Sequence, residues 1–179
     1  LNGVKKMKTL FAILALLWTV NAHSAQISVS VNETTINVGD EVVLSFSGIF
    51  DFADDFQGYQ LSLPYDANAF SFDINNASSQ FDVAGFTSNS DNGTSLSSLG
   101  LSFTGALTGT VNIFTLSLNA LQSGVFSFDT SGLLLSDGSG NIIVPTSSTS
   151  ATLTVAEVSE PAMVVLILMG AAFVVRRRV

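Results

Sequence analysis

The chain has no cysteine, and between Gln26 and Val158 it has no lysine, arginine or histidine. Without cysteine there are no disulfides and no thiolate metal sites, so an exported domain of this composition rests on its core or on a bound ion. Without His, Lys, Arg or Cys, the groups left for acid–base or nucleophilic work near pH 7 are carboxylates, tyrosines and hydroxyls. A glycosidase-type pair of carboxylates stays formally open, but no spacing among the acids singles one out. No cation in the middle of the chain can neutralise phosphate, which excludes nucleic acid as a partner. Ion pairs inside that segment are excluded for the same reason.

The basic residues stand at the two ends: Lys5, Lys6 and Lys8 in front, Arg176, Arg177 and Arg178 behind. Lys5 to Lys8, the apolar stretch Thr9 to Val20 and the small residues up to Ala25 have the order of a secretory signal peptide over residues 1–25, with cleavage expected between Ala22 and Gln26. Leu1 to Val4 read as residues upstream of a start at Met7, and a retained N-terminal anchor is the alternative. At the other end an uncharged run from Ala162 to Val175 meets three arginines. Arginine stays on the cytoplasmic side of a membrane, so this tail stops transfer. A helix of about 14 residues spans about 21 Å, short of the roughly 30 Å of a bilayer core, which suggests a temporary anchor. Both ends place the acidic middle outside the cytoplasm.

From Gln26 the period is two. Gln26–Val31, Glu41–Phe46, Tyr59–Leu63, Phe70–Ile74, Leu99–Phe103, Val111–Leu118, Val125–Phe128, Ile142–Val144 and Ala151–Val155 read as strands separated by Gly, Asn, Asp and Pro turns. At most Leu96–Leu99 or Asn68–Phe70 holds a turn of helix. Eight or nine short strands at this spacing predict an all-β antiparallel β-sandwich or jelly roll over residues 26–155. Its expected core is rich in phenylalanine: Phe46, Phe70, Phe72, Phe103, Phe114, Phe126 and Phe128. Pro145 to Ser150 reads as a hydroxyl-rich loop, with a site of O-linked sugar as the alternative.

Two resemblances follow from these residues. Ser159-Glu160-Pro161, the apolar run 162–175 and Arg176 to Arg178 resemble the PEP-CTERM sorting signal of Gram-negative bacteria, with Ser159 in place of the usual first proline. The resemblance implies a 156–179 sorting segment with a transmembrane helix at 162–175, recognised by an exosortase-type membrane transpeptidase. An ordinary C-terminal anchor is the alternative. Val38-Gly39-Asp40 before a strand, Leu61 to Asp66 leading into Phe70-Ser71-Phe72, Phe114 to Leu118 followed by Gly124, and Asp137 to Asn141 before a last strand at Thr152 to Val155 are similar to a cohesin-type domain. That similarity implies a non-catalytic jelly roll related in fold to carbohydrate-binding modules, with no dockerin-contacting residue to carry over.

Two acidic loops are candidates for a hard cation, Ca2+, because they offer oxygen ligands in close succession. One holds Asp51, Asp54 and Asp55, the other Asp137, Ser139 and Asn141; a solvated turn is the alternative for each. Phe50, Phe52 and Phe56 interleave with the first loop and are candidate partner contacts, or else fold over one end of the sandwich. Tyr59 and Tyr65 offer little as a sugar platform, and the three N-glycosylation patterns are incidental in a bacterium. The sequence therefore predicts an exported, non-enzymatic protein of the cell surface or extracellular matrix, anchored transiently in the inner membrane. Its expected partner is a cell-surface protein or exopolysaccharide, with an envelope-attached carbohydrate-binding module as the alternative and a glycosidase further behind.

Overall fold

The computed structural model describes residues 25–158. The signal-peptide segment, Ser159, Glu160, Pro161, the 162–175 run and Arg176 to Arg178 lie outside the described residues. Among the described residues, no helix is long and apolar enough to cross a membrane.

The strands in chain order are β1 (Gln26–Val31), β2 (Thr35–Asn37), β3 (Glu41–Phe50), β4 (Phe56–Pro64), β5 (Phe70–Ser71), β6 (Gly85–Asp91), β7 (Ser95–Ser102), β8 (Gly109–Ala120), β9 (Gly124–Phe128), β10 (Leu133–Asp137), β11 (Ile142–Ile143), β12 (Ser147–Thr149) and β13 (Ala151–Ala156). One four-residue helix, α1 (Phe81–Ala84), precedes β6. The first sheet runs β12-β1-β3-β8-β5 and the second β11-β10-β4-β7-β6, while β2-β13-β9 forms a third, smaller sheet. Most pairings are antiparallel, and the two parallel ones, β1 with β12 and β13 with β2, lie at sheet margins.

Inward positions alternate as a half-buried strand requires. On β3 they are Val42, Leu44, Phe46 and Phe50, and on β8 Val111, Ile113, Leu116 and Leu118. A register shift between Phe46 and Ser47 of β3 leaves Ile113 as the extra residue of a β-bulge on β8. The bulge resets the alternation, so the adjacent Ile113 and Phe114 are both buried. A second shift, opposite Ser136 and Asp137, does the same on β4 and turns both Phe56 and Tyr59 inward. Each such side chain stabilises the fold by roughly 1.5–3 kcal/mol, which offsets the lack of disulfides.

Several elements differ from the sequence expectation. The third strand reaches Phe50 and the fourth begins at Phe56, so only 51–55 remains as the connection. Phe50 and Phe56 are buried and stacked, ring centroids 3.8 Å apart, and are core residues rather than partner contacts. Phe50 follows the same inward parity as Val42 and Leu44. The strand expected over Phe70–Ile74 keeps two residues and turns into a 3-10 helix at Ile74–Asn76, whose N-cap is Asp73. The stretch Pro145 to Ser150 contains β12, paired through its backbone with β1; its side chains are all exposed, so no alternation marked it. Leu96–Leu99 belongs to β7 and 67–69 is a turn, while the helix present, α1, carries the buried Phe81.

Phe46, Phe70, Phe114 and Phe128 are buried as expected, and Phe72 and Phe126 pack against the core half-buried. Phe103 is not core: it is 75% exposed. Along β7 the buried positions are Leu96, Ser98, Gly100 and Ser102, so Leu99, Leu101 and Phe103 share the outward parity. The small inward residues make room for two rings from elsewhere. A Cβ on Gly100 would run into the ring of Tyr59 and come within 2.9 Å of Phe81. Tyr59 and Phe81 meet edge to face with centroids 5.1 Å apart, and Phe81 meets Phe56 in the same way at 5.5 Å.

Candidate functional site

The phase of β7 puts Leu99 and Leu101 on the outside of the second sheet. Register extends them across all five strands. One row reads Phe86, Leu101, Gly58, Ser136 and Ile142; the next reads Ser88, Leu99, Gln60 and Leu134. Phe86, Leu99, Leu101, Leu134 and Ile142 are all exposed. Gly58 leaves a low point between its neighbours, since a Cβ there would meet Ser136 Oγ at 2.7 Å and Leu101 Cδ2 at 3.0 Å. A shallow depression of about 200 Å3 opens among Gln60, Leu99, Leu101, Leu134, Ser136 and Ile142. The following row, Ser90, Ser97 and Ser62, is hydroxyl-lined, and a second depression of about 270 Å3 lies over Gln60, Ser88, Ser90 and Ser97. The face carries no charge of its own.

Behind it the sheet is held by a buried polar chain. The Tyr59 hydroxyl bonds Ser98 Oγ at 2.8 Å, and Ser98 donates to Asn89 Oδ1 at 2.6 Å. Burial pushes the Tyr59 phenol above its ordinary value. Tyr59 is therefore a core anchor and no sugar platform. Tyr65 donates to both carboxylate oxygens of Asp91 at 2.8 and 2.9 Å and packs edge to face on Phe72.

The two acidic loops lie side by side. Asp51 caps the 3-10 helix Phe52–Asp54 by accepting from the Ala53 and Asp54 amides, and Asp54 accepts from the Asp51 amide in return. Asp55 accepts from Gln57 Nε2 at 2.9 Å and from the Gly138 amide at 3.2 Å, which ties the first loop to the second. In the second loop Asp137 Oδ1 accepts from the Ser139 and Asn141 amides, and Oδ2 accepts from Asn141 Nδ2. The hydrogen bonds from Asn141, side chain first and then amide, hold the Asp137 carboxyl below the usual carboxylate value. Spacing in sequence brought these oxygens together, but the structure uses them to close turns. Among the described residues no group of three or more His, Cys, Asp or Glu side chains is placed to hold a metal ion.

Of the three phenylalanines around the first loop only Phe52 reaches the surface, 86% exposed on the capped 3-10 turn. The apolar residues of the outer face were not singled out from sequence. Phe103 is expected in the core from sequence, and Leu99 and Leu101 share its parity; period two gives two faces without saying which is inside. Phe86 lies on a strand of otherwise polar residues that carries no alternation signal.

No protein-family model matches the chain, and no curated protein matches it. Solved structures do. A cohesin module from a family 33 glycoside hydrolase of Clostridium perfringens is 15% identical, covers 76% of this chain and 98% of its own, and has a TM-score of 0.61. A non-cellulosomal cohesin from the archaeon Archaeoglobus fulgidus is 13% identical over 76% of this chain and 94% of its own, TM-score 0.56. A structure described as a type I cohesin–dockerin complex from Clostridium thermocellum is 12% identical over 78% and 98%, TM-score 0.57. At these identities the likeness is one of fold: the described residues form a cohesin-like β-sandwich whose second sheet turns an uncharged, partly apolar face to solvent.

Proposed function

We propose that this chain is a non-catalytic protein-interaction module that binds a partner protein through the outer face of its second sheet. The observation that carries the reading is the row of exposed apolar side chains, Phe86, Leu99, Leu101, Leu134 and Ile142, on a regular sheet that is otherwise packed. A contiguous apolar patch rimmed by polar residues is the usual character of a docking surface. Solved structures of similar fold include complexes named for a cohesin and a dockerin, which supports a protein as the partner class. The test immobilises the full chain and passes over it the matrix fraction of the source cells. A protein retained by the wild type and lost from the double variant Leu99→Ser, Leu134→Ser supports the reading; equal retention by both sinks it.

The setting proposed for the module is the cell surface or extracellular matrix of a Gram-negative bacterium. The signal-peptide pattern over 1–25 and the Glu160-Pro161, apolar and triple-arginine order of the tail support export, transient anchoring in the inner membrane and sorting by an exosortase-type transpeptidase. Fractionation of cells expressing Glu160→Ala with Pro161→Ala, alongside mass spectrometry of the mature C-terminus, tests this. Identical location and identical termini in variant and wild type refute the sorting step.

A further inference from the structure

The inward row of β1 starts one residue before the strand does. Ile27 and Val29 face the core, and Ala25, just ahead of Gln26, continues their parity with none of its surface exposed. Its methyl belongs to the same buried cluster as theirs. Its carbonyl accepts from the Thr146 amide at 2.8 Å and from the Thr146 hydroxyl at 3.1 Å. Thr146 is the residue before β12, which pairs in parallel with β1 from Gln26 and Ser147 onward. The side chains of β12 are all exposed, so its place is set by backbone bonding, and the bonds to Ala25 stand at its start. In turn β12 covers the edge of β1, which would otherwise present unpaired N–H and C=O groups.

Three bonds in the stretch where the leader is expected to be cut follow a small residue: Ala22–His23, Ser24–Ala25 and Ala25–Gln26. A leader cleavage site carries small residues at the first and third positions before the cut. For Ser24–Ala25 these are Ser24 and Ala22, and for Ala22–His23 they are Ala22 and Val20. For Ala25–Gln26 the third position is His23, which is not small. Hydrolysis at that bond would also carry off the buried methyl and the acceptor of both Thr146 bonds, and would leave a charged ammonium on the first residue of β1.

We infer that the leader is removed on the N-terminal side of Ala25, at a bond recognised through Ala22, and that Ala25 stays on the mature chain as the first residue of the fold. Water adds across the scissile peptide bond, which leaves a carboxylate on the leader and an ammonium on the mature chain. This inference rests on the export reading above and assigns the processing site within it.

Mass spectrometry of the N-terminus tests it, on the full chain made in the source cells as wild type, Ala22→Leu and Ala25→Leu. Pulse-labelled chains are followed alongside, so that processing is read before a poorly folded variant is degraded. The wild type is expected to begin at His23 or Ala25. Ala22→Leu should lose the mature form, because leucine then stands at a recognised position. Ala25→Leu lies beyond the cut and should be processed like the wild type. A mature chain that begins at Gln26, or processing stopped by Ala25→Leu and untouched by Ala22→Leu, overturns the inference and leaves export standing. A wild-type chain that keeps its leader uncut overturns the signal-peptide reading itself, and the inference with it.

Discussion

The two five-stranded sheets present opposite chemistry to solvent although they are drawn from the same cation-free segment. The first sheet shows hydroxyls: register aligns Ser28, Ser47 and Asn112 in one row and Ser30, Ser45 and Thr115 in the next. These groups satisfy one another, with Ser28 and Ser47 Oγ atoms 2.8 Å apart and Thr115 donating to Asn112 at 2.9 Å. The second sheet shows leucine, phenylalanine and isoleucine beside a serine row. The difference originates on the inside. The first sheet fills its inner positions from its own strands, Leu44, Phe46, Leu116 and Leu118 among them, so its large side chains are used up facing in. Strand β7 of the second sheet has Ser98, Gly100 and Ser102 inward, because Tyr59 and Phe81 occupy that volume. Leu99 and Leu101 are left outside. A sheet whose core is filled by its neighbours is free to spend its apolar residues on a surface.

The comparison is broken most severely by removing the ring that occupies this space. Phe81→Ala leaves a cavity behind β7 and should cost about 3–5 kcal/mol in urea unfolding, a loss typical of a deleted core aromatic. Phe52→Ala, on an exposed ring, should stay within about 0.5 kcal/mol in the same assay. If the two variants unfold at the same urea concentration, Phe81 does not fill the space behind β7.

A smaller effect follows from the polar chain that braces the same strands. Tyr59→Phe removes one buried hydrogen bond while Ser98 and Asn89 keep theirs, at a cost of about 1 kcal/mol near pH 7. Burial raises the Tyr59 phenol in the folded state. Its stabilising contribution is thus complete below the unfolded value near pH ~10 and is lost as pH rises through the higher folded value. Urea midpoints across pH 8 to 11 should fall more steeply for wild type than for Tyr59→Phe; parallel curves would count against that burial.

Exchanging the outer faces sharpens the contrast with little change in stability. Leu99→Ser with Leu134→Ser should lower the fluorescence of a bound hydrophobic dye, and Ser45→Leu with Ser47→Leu should raise it. Because these positions are exposed or half-exposed, each pair should shift stability by no more than about 1 kcal/mol. Dye binding that ignores both exchanges would mean that the apolar face is not the accessible one.

The smallest expected effect concerns the acidic loops at the end where β3 meets β4 and β10 meets β11. Their carboxylates already accept from backbone and side-chain N–H groups. Melting in calcium and in magnesium at equal ionic strength should coincide; a melting temperature several degrees higher in calcium alone would support the calcium reading instead.

Much of the sandwich is legible in the chain, because strands such as Gln26–Val31 and Val111–Leu118 alternate cleanly and are bounded by turn residues. The extension of β3 to Phe50 was also there to be read: Val42, Leu44, Phe46 and Phe50 share one parity, and Gly48 merely interrupts it. Strands β6 and β12 were hidden because their side chains are mainly polar and their place is set by backbone pairing. Phe81 was invisible for another reason. A single aromatic on a four-residue helix has no period, and its partners Phe56 and Tyr59 lie more than twenty positions away.

By itself the sequence determined that the middle of this protein is mostly β, carries a single sign of charge, has no disulfide and holds no histidine, lysine, arginine or cysteine. Each of these follows from composition or local period, which need no partner in space. The tertiary structure alone decided which face of each strand turns inward, where the two bulges reset the alternation, and that the carboxylates of the acidic loops close turns. A period of two marks two faces as equals, and only the volume already occupied by Tyr59, Phe81 and Phe56 breaks the tie and sends Leu99 and Leu101 to the surface.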